Sequence, residues 1–128
     1  YTKADPRINI RNFQPQRTGK NVRERVEMAQ IVSFPDGNMN RERVRKEFEK
    51  MSLKPANLNS FLACGAQYPE VQKRIIITTV CPNAIWRSRK SNEYVLLLRG
   101  CPAGDRYLDI DLLKEYFPSC YCFLGIQK

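Results

Sequence analysis

The sequence predicts an α+β fold, a four-stranded antiparallel sheet with helices on one face, preceded by a flexible basic arm. Three observations point there. Apolar residues fall in short alternating or β-branched runs, at Val26 to Phe34, Ile75 to Val80, Tyr94 to Leu98 and Cys120 to Ile126. Stretches with three-and-four apolar spacing lie between them. The chain of 128 residues suits one domain with one hydrophobic core.

Residues 1–25 lack apolar periodicity and hold seven basic residues against Asp5 and Glu24, so they read as a basic flexible arm before a single domain over 26–128. Val26, Met28, Val32 and Phe34 then share one side of a candidate strand that stops at Pro35-Asp36-Gly37, a turn signal. Asn40 is placed to cap a helix to about Met51, with Val44, Phe48 and Met51 on one face. On its other face Glu42 precedes Lys46, Arg43 precedes Glu47 and Arg45 precedes Glu49 by four, a spacing that neutralises charge within the helix. A shorter helix is expected from Pro55 to Gly65, burying Leu58, Phe61 and Leu62.

The β-branched run within Gln72 to Cys81 predicts a central strand. Residues 82–92 form a basic connection, Glu93 to Arg99 another strand, and Asp105 or Asp109 caps a helix to Phe117 closed by Pro118. In the tail, Cys120, Cys122, Leu124 and Ile126 alternate with Tyr121 and Phe123, as in a strand buried on at least one side. This succession is the split βαβ, ferredoxin-like order. In topology alone it resembles the RNA-recognition module, whose K/R-G-F/Y-G/A-F-V-x-F/Y signature is missing: the corresponding strand reads Glu93-Tyr94-Val95-Leu96-Leu97-Leu98, with only Tyr94 to stand for a ring.

Charge supplies the functional direction. The formal net charge is +9, and it is lopsided: 18 Lys/Arg face 8 Asp/Glu over residues 1–90, and 4 face 5 over residues 91–128. Such an excess attracts a polyanion, of which nucleic acid is the commonest. No apolar run approaches the ~20 residues of a membrane helix, and the start of the chain has no secretory signal, so a domain cut from a longer intracellular protein, nuclear or cytoplasmic, is expected. Five dispersed cysteines read as reduced, buried thiols, and their spacing, without histidine, argues against zinc.

The most specific local feature is the loop Trp86-Arg87-Ser88-Arg89-Lys90-Ser91-Asn92, three cations without a local acid beside an indole and two hydroxyls. Its bland counterpart is a solvated hairpin with the tryptophan folded onto the core. The leading expectation is a non-enzymatic nucleic-acid-binding module, RNA ahead of DNA, with no cofactor or metal. Arg7, Arg11, Arg17, Lys20, Arg23 and Arg25 would contact phosphates, Lys73, Arg74, Arg87, Arg89 and Lys90 would form the ordered patch, and Trp86 would stack on a base. The alternative is a protein-interaction or assembly domain of a regulatory or viral protein, binding an acidic partner or forming a homodimer through an exposed strand at Tyr121 and Phe123. A Mg²⁺-dependent nuclease or nucleotidyl transferase on Asp105, Asp109, Asp111 and Glu115 competes with a capping role for Asp109 and a dipole role for Asp111.

Overall fold

The computed structural model describes residues 3–4, 28–101 and 103–128. It has two helices and one mixed sheet of eight strands, the first only two residues long. The strands are β1 (Lys3–Ala4), β2 (Ala29–Ser33), β3 (Leu53–Pro55), β4 (Ile76–Thr78), β5 (Ile85–Arg87), β6 (Glu93–Gly100), β7 (Arg106–Leu112) and β8 (Tyr121–Gln127). The helices are α1 (Arg41–Lys50) and α2 (Leu58–Gln67). The main path runs β1-β7-β6-β4-β8-β2, with β5 beside β6 and β3 beside β8. No helix among the described residues is long and apolar enough to cross a membrane.

This corrects the expected four-stranded antiparallel sheet with helices on one face. β4 runs parallel to β8 and antiparallel to β6, so the sheet is mixed. The helices take opposite faces, because the central strands are apolar on both. Val95, Leu97, Tyr121 and Phe123 pack with Val44 and Phe48 of α1 on one face. Leu96, Leu98, Leu108, Ile110, Leu124 and Ile126 pack with Leu58, Phe61 and Cys64 of α2 on the other. Val95 to Leu98 and Tyr121 to Ile126 are buried without interruption. Such runs mark strands covered on both sides.

The helix expected to end at Phe117 is instead β7. Leu108, Ile110 and Leu112 alternate with Asp109 and Asp111 at the period of a strand, and the turn from Cys101 to Asp105 folds the chain back onto β6. That turn is closed by the Cys101 amide donating to the Asp105 carbonyl at 2.9 Å, with Gly104 at φ 150°.

α1 follows the sequence closely. The Asn40 side chain accepts from the Arg43 amide at 3.0 Å, and Val44 and Phe48 are buried. α2 starts later than expected: Asn57 caps it by accepting from the Ser60 amide at 2.8 Å, while Pro55 closes β3 and Gly65 lies inside the helix. β2 confirms the first strand, with Val32 buried but Met28 exposed; Val26 lies outside the described residues. Within the expected strand from Gln72, only Ile76–Thr78 pairs, after a 3₁₀ turn at Val71–Lys73. Of the arm expected over residues 1–25, Lys3–Ala4 pairs in parallel with Tyr107 and Leu108. The rest lies outside the described residues.

β3 and β4 share one edge of β8, meeting end to end at Leu124. The join is closed by polar contacts: the Ala56 amide donates to the Leu124 carbonyl, and the buried Thr79 hydroxyl donates to the Ala56 carbonyl. Beside it, Gly125 lets α1 lie directly on β8, since a Cβ there would stand 3.0 Å from Phe48 Cε2 and 3.2 Å from Leu53 Cδ1. Phe48 and Leu53 are buried and have little room to give. Gly125→Ala is therefore expected to lower stability by about 1–3 kcal/mol in denaturant unfolding.

Candidate nucleic-acid interface

The basic loop of the sequence is a β-hairpin. β5 pairs with the first residues of β6, Trp86 opposite Tyr94 and Arg87 opposite Glu93. The turn is closed by the Ser88 amide on the Asn92 carbonyl at 2.7 Å and the Ser91 amide on the Ser88 carbonyl at 3.0 Å, with Ser91 left-handed at φ 65°. This is a three-residue loop with a bulge, a common way to join tightly twisted strands. It lifts Arg89 and Lys90 to the exposed tip, where neither has an ion-pair partner among the described residues. Ser91 is exposed there too, whereas the Ser88 hydroxyl is buried in the turn and cannot serve as the surface donor expected of it.

The expectation of three cations without a local acid is corrected by Glu93. Its carboxylate accepts from both terminal nitrogens of Arg41, at 3.2 and 3.3 Å, and stands 3.7 Å from Arg87. α1 thus presents its first residue to the hairpin. The intrahelical charge pairing expected of α1 is not what forms: Arg43 donates to the Asn38 carbonyl at 2.8 Å and Arg45 to the Val80 carbonyl at 3.3 Å. Only Glu47 with Lys50, at 3.1 Å, pairs within the helix among the described residues. Arg41 is therefore part of the patch, and sequence spacing alone concealed it. Its signal was its place beside a capping asparagine, at a helix end that must dock somewhere.

Lys73 and Arg74 do not join this patch. They sit at the opposite end of β6, where Gln72 Nε2 donates to the carbonyls of Arg99 and Tyr107, and Lys73 pairs with Glu70 at 3.0 Å. β6 has eight residues. At ~3.3 Å per residue its two ends stand about 23 Å apart. The structure places Trp86, Arg87, Arg89 and Lys90 on one hairpin and brings Arg41 to the same carboxylate as Arg87; Arg7, Arg11, Arg17, Lys20, Arg23 and Arg25 lie outside the described residues.

Trp86 does not project freely from the loop. It is half-buried against the α2-side core and stacks on Tyr94, with ring centroids 5.0 Å apart and an interplanar angle of 28°. The exposed strand expected at Tyr121 and Phe123 is also absent, because β8 is interior and both rings are buried.

The carboxylates expected to cap a helix or gather Mg²⁺ are held apart. Asp109 pairs with Arg99 at 2.8 Å, and Asp111 accepts a hydrogen bond from the Tyr121 hydroxyl. Among the described residues no three His, Cys, Asp or Glu side chains converge. All five cysteines are free; Cys64 and Cys122 are buried as expected, but Cys101 and Cys120 are exposed.

Burial raises the Tyr121 pKa well above that of an ordinary phenol, and the hydrogen bond to Asp111 and its charge push the same way against a smaller opposing pull from Arg99. In the unfolded chain the phenol ionises near pH ~10, so the native state holds this proton longer. The stability it contributes is complete below pH ~10 and declines as pH rises above it. Tyr121→Phe is expected to flatten the alkaline limb of a stability-against-pH curve and leave its slope near neutrality unchanged.

No protein-family model, curated protein or solved structure matches this chain, so the chemistry of the hairpin patch carries the functional reading.

Proposed function

We propose that the protein is a non-enzymatic nucleic-acid-binding module, RNA ahead of DNA, acting inside the cell through the β5–β6 hairpin and the first turn of α1. The observation that carries this reading is the charge balance at the hairpin end. Glu93 pairs with Arg41 at 3.2 Å and stands 3.7 Å from Arg87, while Arg89 and Lys90 are exposed at the tip without an ion-pair partner among the described residues. A fixed β-turn presents them without a large entropic loss on binding. A phosphate backbone answers such a cluster because each neutralised phosphate releases condensed counterions. Arginine adds a planar fork matched to phosphate oxygens.

RNA is placed ahead of DNA because the described helices offer no recognition surface for a major groove. α1 commits Arg43 and Arg45 to the carbonyls of Asn38 and Val80, and α2 carries no basic residue. The arm cations from Arg7 to Arg25 would add sequence-independent phosphate contacts to those of the hairpin. Five unpaired thiols, two of them exposed, suit the reducing interior of a cell. An acidic protein surface is the competing partner for the same cations.

Combined replacement of Arg87, Arg89 and Lys90 by Gln is expected to weaken RNA binding and to reduce the slope of log affinity against log salt by roughly 2, at ~0.7 per lost phosphate contact. Unchanged affinity and slope in an anisotropy titration at two salt concentrations would remove the hairpin from the site. Glu93→Gln tests the same patch in the other direction. Freed of its carboxylate, the cluster is expected to bind about 2- to 5-fold more tightly. Polyglutamate displacing the protein while RNA does not would establish the acidic-protein reading instead.

A further inference from the structure

The hairpin carries more than charge. Trp86 lies opposite Tyr94, and Tyr94 lies opposite Leu112, so three apolar side chains form one row across β5, β6 and β7 on the same face of the sheet. With strands ~4.8 Å apart the row is about 10 Å long. α2 roofs this face only in part. It starts beside Asn83, whose side chain accepts from the Leu58 amide, and ends beside Arg106, which donates to the Gly65 carbonyl. Between these contacts α2 contributes Leu58, Phe61 and Cys64 to the core cluster against which Trp86 and Tyr94 pack. Trp86 and Tyr94 are half-buried, anchored on one side by the core, and Leu112 is 41% exposed.

Taking the nucleic-acid reading as its basis, we infer that this row is a stacking platform for the bases of a single strand, whose backbone is held by Arg89 and Lys90 at the adjoining tip. Each element has a physical reason. A row that is half-buried at Trp86 and Tyr94 and exposed at Leu112, beside cations without an ion-pair partner among the described residues, suits a ligand that is at once anionic and aromatic, which distinguishes a nucleic acid from an acidic peptide. Bases of a duplex are stacked on each other and present only edges and phosphates, whereas unpaired bases offer their faces. The Trp86–Tyr94 pair holds both rings in place before the ligand arrives, so little side-chain freedom is lost on stacking. Stacking accepts any base, so the platform confers strandedness and not sequence preference.

Trp86 is the only tryptophan of the chain, so its emission reports directly on the platform. A short oligouridylate and a blunt RNA duplex of equal length are titrated into the protein while anisotropy and tryptophan fluorescence are recorded together. The expected result is tighter binding of the single strand, with quenching that saturates at the anisotropy midpoint, and little quenching by the duplex. Tyr94→Leu is expected to weaken the single strand about 5- to 100-fold and Tyr94→Phe to restore most of it, with duplex binding little changed. Leu112→Ser, at an exposed site that the core does not need, provides a second variant with the same selective loss. If both polymers bind equally without quenching, and the variants lose nothing, the platform is overturned while the basic patch stands. If neither polymer binds, the nucleic-acid reading falls and the platform with it.

Discussion

Burial of β6 and β8 on both faces is the constraint from which the rest of the molecule follows. Leu96 and Leu98 point to one side and Val95 and Leu97 to the other, and β8 repeats the pattern with Leu124 and Ile126 against Tyr121 and Phe123. Exposing either set would cost roughly 1.5–3 kcal/mol per large side chain. Each face must therefore be roofed, and the two helices go to opposite sides. A ten-residue helix spans only about 15 Å, so neither roof reaches every row of the sheet.

The hairpin end of the sheet, where Leu112 is exposed, is also where charge gathers. α1 enters over the opposite face with its capped N-terminus toward the β5–β6 hairpin, which is why Arg41 meets Glu93. The pair is partly exposed, with side-chain accessibilities of 35% and 23%. At such a site it adds at most ~1 kcal/mol to stability. Its larger consequence is arrangement: one carboxylate draws two guanidinium groups to the base of the hairpin, while Arg89 and Lys90 at the tip have no ion-pair partner among the described residues. The sheet end thus has a polar, positively charged side and an apolar, aromatic side separated by one β-turn.

Much of the framework was legible in the chain. Asn40 with Val44 and Phe48 specified α1 almost to the residue, and the Pro35-Asp36-Gly37 turn ended β2 as expected. The uninterrupted runs Val95 to Leu98 and Tyr121 to Ile126 also carried the signal for two-sided burial, and the alternation in the tail already implied burial on at least one side. β7 was misread because Leu112, Leu113, Tyr116 and Phe117 imitate helical spacing, while the shorter alternation from Leu108 to Leu112 decides the structure once β6 is available as a partner. Pairing with the preceding strand across the Cys101–Asp105 turn is invisible to a local period, and it overrode the local preference here.

By itself the sequence determined the basic excess, the identity of α1 and the presence of an Arg/Lys-rich turn beside the lone tryptophan, since all of these depend on composition or on neighbours within a few residues. Only the tertiary structure decided which charges stand together. It separated Lys73 and Arg74 from the hairpin by the length of β6, brought in Arg41 from across the fold, and supplied Glu93 as their counter-charge. It also aligned Trp86, Tyr94 and Leu112, residues from three strands, into one row. Strand register sets such neighbours, and register is fixed by burying both faces of the whole sheet at once.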